Sequence, residues 1–183
     1  MLVLHLAPNP AQEKVLFTTM QSFNRAANTA AQIAFIEHTR SIVKLQKRVY
    51  RDVRSWFDLP AQLAMNAISQ AARALQRDKN LQPVFEQEGA MPYDRKTLSF
   101  KGMGTVSLLT LAGRIRVGFC ILGYQTAPFR ALPGHHYLFV VNKEFYLAVV
   151  LDVPDALPAH AMRAMNVVDV EALFQAKEMP AIR

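Results

Sequence analysis

Within the fifteen residues from Arg40 to Arg54 lie six cations: Arg40, Lys44, Lys47, Arg48, Arg51 and Arg54. Most stand three or four residues apart, and a helix turns about 100° per residue, so they share one side. Asp52 is the only acid among them. Ile42, Leu45, Val49, Val53 and Trp56 fall on the other side. A line of cations of this kind can neutralise phosphates and release their counterions. The bland alternative is an ordinary solvated face, although such faces usually mix both signs at i,i+4 spacing. A helix lying on a membrane surface is a third option. The apolar side is better accounted for by packing against neighbouring helices. Arg73 and Arg77 add two cations near the end of a following helix.

A second candidate is the run Tyr93-Asp94-Arg95-Lys96-Thr97-Leu98-Ser99-Phe100-Lys101. Tyr93 and Phe100 offer rings for stacking bases, and Arg95, Lys96 and Lys101 offer charges for phosphates. Phe100 alternates with polar residues, so a core role fits it equally. Arg114 and Arg116 alternate with Ile115 and Val117 and share one face of a strand. That suits RNA contact or plain exposure to water.

Signals for metal or covalent chemistry are weaker. His135 and His136 are adjacent, and adjacent strand residues point to opposite faces, so joint chelation is disfavoured. Cys120 ends an apolar strand and is expected to be buried. Asp152, Asp155, Asp169 and Glu171 are scattered, whereas two-metal nuclease chemistry needs several acids converging on one ion pair. There is no phosphate-binding loop, dinucleotide fingerprint, nucleophile elbow or zincin motif. The expectation is a chain with no cofactor, no metal and no catalytic residue of its own.

The 183 residues carry a net charge of +7 and are 51% apolar, which excludes a disordered polymer and suggests a polyanionic partner. The start, Met1-Leu2-Val3-Leu4-His5-Leu6-Ala7-Pro8, lacks the basic, long-apolar pattern of a signal peptide. No apolar run approaches the length of a bilayer span. A lone cysteine excludes an internal disulfide, and a cytoplasmic location is expected.

The elements that must position these residues follow from periodicity. Leu2–Leu6 reads as a strand. Asn9 caps a helix that has Pro10 at its first position and runs to about His38. A second helix covers about Ser41 to Phe57, and a third Pro60 to Arg77, with Leu63, Ala67, Ile68, Ala71 and Leu75 inward. Residues 79–91 read as a linker. The period then changes to two. Strands are expected at 97–100, 106–111 and 114–119, with a hairpin of 137–141 and 145–153 turning across Asn142-Lys143-Glu144. Tyr124 to Leu132 reads as a short helix or loop, Pro133-Gly134 as a turn, and Val167–Val170 as a last strand. The predicted fold class is α+β: an antiparallel, oligonucleotide-binding-like β-barrel from residues 1–8 and 92–160. A three-helix bundle (9–78) is inserted in it, and a C-terminal extension (161–183) follows.

Taken together, these pieces resemble the N-terminal half of the TnpB family of RNA-guided nucleases, relatives of the CRISPR type V effectors. The resemblance rests on Leu4-His5-Leu6 through Pro10-Ala11-Gln12-Glu13 with Thr19 and Asn28, on Leu59-Pro60-Ala61-Gln62-Leu63-Ala64, and on Tyr93 to Phe100. Val106 to Arg114 and Phe145-Tyr146-Leu147 through Val153-Pro154 complete it. It implies a wedge barrel interrupted by a helical recognition bundle. Its implied partners are a guide RNA and target DNA in an RNA–DNA hybrid, with base pairing supplying most of the specificity. Val167-Val168-Asp169-Val170 resembles the first strand of the family's RuvC-like nuclease, but the glycines after the aspartate are replaced by Glu171-Ala172-Leu173-Phe174. The remaining catalytic acids and zinc-finger cysteines are absent from the sequence. The resemblance therefore implies binding and argues against cleavage by this chain alone. A second protein chain or a homodimer would complete the assembly, with no membrane involved. Two rival readings remain: a protein-interaction subunit, and a split metal-dependent nuclease using Asp169 and Glu171.

Overall fold

A computed structural model describes residues 2–102, 104–121 and 136–150. The expectations for Tyr124–Leu132, Pro133-Gly134, His135, Asp152, Asp155, Val167–Val170, Asp169, Glu171 and the C-terminal extension lie outside these residues.

The chain opens with β1 (Leu2–Ala7), in which Val3, Leu4 and Leu6 are buried. Asn9 then starts α1 (Pro10–Ile36) through a reciprocal cap: its side chain accepts from the Gln12 N–H, and the Gln12 side chain accepts from the Asn9 N–H. Two of the helix's orphan donors are satisfied in this way. Helices α2 (Ile42–Trp56) and α3 (Ala61–Arg77) follow. Ala27, Ala30, Ala67 and Ala71 of α1 and α3 are fully buried, and small side chains let helix axes approach closely.

The remaining strands are β2 (Met91–Tyr93), β3 (Leu98–Phe100), β4 (Thr105–Thr110), β5 (Gly113–Ile121), β6 (His136–Val141) and β7 (Glu144–Val149). All pairings are antiparallel, in the order β2-β6-β7-β1-β5-β4-β3. The first strand thus sits between β7 and β5, and the helices are inserted between β1 and β2. The two end strands, β2 and β3, are consecutive in the chain. The Tyr93 hydroxyl donates to the Leu109 carbonyl at 3.0 Å, and the Phe100 ring meets His136 with centroids 6.4 Å apart. These contacts bring the sheet round to a nearly closed barrel, and the fold class is α+β. One apolar cluster runs from the inner face of the barrel into the bundle, joining Leu4, Leu6 and Tyr93 to Phe23, Leu63 and Ile68.

Three expectations change in detail. Residue 91 opens β2, and the segment before it is tied to α1. Asn28 donates to the Phe85 carbonyl and accepts the Phe85 N–H, both at 2.7 Å, while Asn24 donates to the carbonyls of Gln87 and Gly89. The β6–β7 turn uses two residues rather than three. Val141 pairs with Glu144, and Asn142 and Lys143 adopt φ of 52° and 68°, the left-handed geometry of tight hairpins. Cys120 is exposed, not buried. It alternates with the inward Val117 and Phe119, so the strand period sends it outward opposite His5.

Candidate nucleic-acid interface

Helix α2 buries Leu45, Val49 and Val53 and leaves Lys44, Lys47, Arg48, Arg51 and Arg54 exposed, with Arg40 exposed just before it. Ser41 caps the helix by accepting from the Lys44 N–H. At 1.5 Å rise per residue the cations span roughly 20 Å. A duplex strand offers a phosphate every 3.4 Å or so of axis, so a line of this length matches the spacing of about six. Arg48 Nε lies 2.9 Å from Glu37 Oε1, with both side chains well exposed. Such a surface pair contributes little to stability. Asp52 is half-buried at the flank.

The Arg40 carbonyl accepts from Gln76 Nε2 at 2.8 Å, which sets the start of α2 beside the end of α3. Arg40 and Arg77 therefore stand at one end of the bundle, both exposed. Arg73 is exposed on α3, where it makes a contact of its own.

A second basic patch lies on the barrel. Arg95 and Lys96 occupy the turn between β2 and β3, and Arg114 donates to the Lys96 carbonyl. Arg114 and Arg116 project outward from β5, and the Arg116 carbonyl accepts from Gln12 Nε2 at 2.8 Å at the start of α1. Lys101 is exposed at the end of β3, its N–H donating to Thr105 O at 2.8 Å.

Tyr93 does not belong to this patch. Its side chain is fully buried on the inner face of β2, where burial pushes the phenol well above its ordinary pKa. A ring closed off from solvent cannot stack a base. Replacing Tyr93 with Phe should leave RNA affinity unchanged and lower stability by about 1 kcal/mol, the worth of one buried hydrogen bond. Chemical denaturation and a binding titration on the same sample check both halves. Phe100 packs edge-on against Phe119, centroids 5.9 Å apart, and joins the core.

Asp94 is a joint rather than a contact. Its Oδ2 accepts from Gln62 Nε2 and Asn66 Nδ2 of α3, at 3.0 and 3.3 Å. Its Oδ1 accepts from the Lys96 and Thr97 N–H groups and the Thr97 hydroxyl. Burial by itself would raise the carboxyl pKa. The hydrogen bonds from Thr97, Lys96 and Asn66 outweigh it and hold the pKa below the ordinary carboxylate value.

Two residues escaped the sequence reading. Trp56 shares its azimuth with Leu45, Val49 and Val53 yet is 63% exposed. The helix ends there. Phe57 turns partly inward, Asp58 adopts a φ of 51°, and Leu59 is buried. Periodicity reports the side of a helix, not how far along it the packing reaches. Arg25 of α1 lays its guanidinium over the Phe57 ring, 5.6 Å from the centroid. Only its isolation from other cations in the sequence hid it.

Fold and surface together define an α+β protein: a nearly closed antiparallel barrel with an inserted helical bundle that carries a basic face. No protein-family model and no curated protein matches the chain. Among the described residues, no group of three or more His, Cys, Asp or Glu is placed to hold a metal ion. No described helix is long and apolar enough to cross a membrane.

Proposed function

We propose that this chain is a guide-RNA-binding module of an RNA-guided DNA-targeting complex of the TnpB and type V kind. In this reading it holds the RNA scaffold and the guide–target hybrid without cutting. The observation that carries the reading is the α2 face: six exposed cations in line, only one of them paired with a carboxylate among the described residues. The barrel patch of Arg95, Lys96, Arg114 and Arg116 supplies a second set of phosphate contacts. Arg40, Arg73, Arg77 and Lys101 extend the two patches at their edges. The insertion of the bundle after the first barrel strand agrees with the layout the sequence resemblance implies.

The test is to purify the protein from its native host at mild salt and sequence the RNA that accompanies it. One enriched, structured RNA encoded near its own gene is the expected result. A stoichiometric protein partner with no specific RNA would sink the proposal and make the basic face a docking surface.

A further inference from the structure

We infer that Phe139, Tyr146 and His5 form a ladder of rings on the outer face of the barrel, and that its next place, above Cys120, takes an unpaired nucleobase. This rests on the nucleic-acid reading of the barrel patch. Strand pairing sets Phe139 opposite Tyr146, Tyr146 opposite His5, and His5 opposite Cys120. The four residues therefore lie in one line across β6, β7, β1 and β5. Neighbouring strands stand about 4.8 Å apart, and the rings follow that spacing. Phe139 and Tyr146 are stacked, with centroids 5.6 Å apart and planes at 21°. Tyr146 and His5 are 5.1 Å apart, with planes at 33°. The Phe139 end is buried, whereas the His5 side chain is 33% exposed. Beyond His5 the line ends in Cys120, a small and exposed side chain. A flat ring seated there extends the stack by one strand spacing.

The same strand carries the cations. The outward positions of β5 run Arg114, Arg116, Gly118, Cys120, and all four are exposed. At about 3.4 Å per residue, Arg116 lies roughly 14 Å and Arg114 roughly 20 Å from Cys120 along the strand. That is a few nucleotides of extended chain. Between them Gly118 has no side chain, and its partners across the sheet are the small residues Ala7 and Thr105. A sugar–phosphate chain can cross this low ground from the cations to the ladder. Glu144 opposes an anion from the other side. Its Oε2 accepts from the Tyr146 hydroxyl at 2.7 Å and lies 3.8 Å from His5 Nε2, but β7 is two strands away from β5. Phosphates on the β5 lane and a base over Cys120 keep clear of it. Every base has a π-face, so the contact tolerates any sequence but requires an unpaired base.

Cys120 is the only cysteine in the chain, and its alkylation reports whether the place above it is filled. The full chain is titrated with labelled oligouridylate of about a dozen nucleotides, and separately with a long RNA duplex whose ends are few. Anisotropy reports binding, and mass spectrometry follows the rate at which iodoacetamide modifies Cys120. The single strand should slow that modification about tenfold, while the duplex binds without slowing it. His5→Ala should weaken single-strand binding about tenfold and abolish the protection, with duplex affinity unchanged. His5→Phe, which keeps a ring and removes the imidazole, should restore both. Single-strand binding that leaves Cys120 open, or protection that survives His5→Ala, would overturn the stacking role and leave the phosphate-binding patch intact. Failure of both RNAs to bind would overturn the nucleic-acid reading itself, and the stacking role with it.

Discussion

Replacing Lys47, Arg51 and Arg54 together with Gln is expected to weaken RNA binding about a hundredfold at roughly 0.1 M salt. Each phosphate contact on a single strand releases about 0.7 of a counterion, so three contacts contribute about two logarithmic units. The same count predicts that the slope of log affinity against log salt flattens by about 2. The three side chains are exposed and face away from Leu45, Val49 and Val53, so stability should stay within about 0.5 kcal/mol of the parent. Arg48→Gln alone should cost less than its neighbours, because Glu37 already draws on that charge. Lys143, exposed on the β6–β7 turn, is the control: its replacement should change nothing. An unaltered salt slope in the triple variant would mean that α2 does not touch phosphate.

Asp94→Ala should destabilise the protein by about 2 kcal/mol, because charge-assisted hydrogen bonds of this kind are among the stronger ones. The loss has two parts. The turn carrying Arg95 and Lys96 loses its backbone tether, and Gln62 and Asn66 of α3 lose an acceptor. Binding should fall as well, since the barrel patch hangs on that turn. Asp94→Asn separates charge from shape. The folded carboxyl has a lowered pKa, so the ionised form stabilises the native state. That contribution is complete above about pH 4 and disappears as pH falls through the folded pKa. The stability gap between parent and Asp94→Asn should therefore be constant from pH 8 to about pH 5 and close below about pH 4. Denaturant midpoints across that range measure it. No gap at any pH would show that Asp94 acts through shape alone.

The residue that looked most like a base-stacking aromatic, Tyr93, is instead a core residue, and the one assigned to the core, Trp56, is exposed. Both errors have one origin. A sequence period gives the direction of a side chain relative to its own element. It says nothing of what lies in that direction. Around Tyr93 the sheet curls until β2 meets β4 through the Leu109 carbonyl. Around Trp56 the chain turns at Asp58 and leaves the ring 63% exposed. Cys120 shows the same limit on a smaller scale. Its apolar neighbours suggested burial, but the pleat sends every second residue to solvent.

Local pattern alone determined a good deal of this protein. The Asn9–Pro10–Gln12 cap, the three helices, the shift to a period of two after residue 92 and the basic face of α2 all follow from spacing and capping chemistry within a turn or two. These interactions are short-range and repeat with the element's own period, so the sequence carries them whole. Tertiary structure decided what depends on contacts far apart in the chain. It placed β1 between β5 and β7, and it fastened residues 85–89 to Asn24 and Asn28. It also joined α3 to the barrel through Asp94. A side chain's exposure is set by the closest approach of such distant segments, which is why Tyr93 is buried and Trp56 exposed against their local patterns.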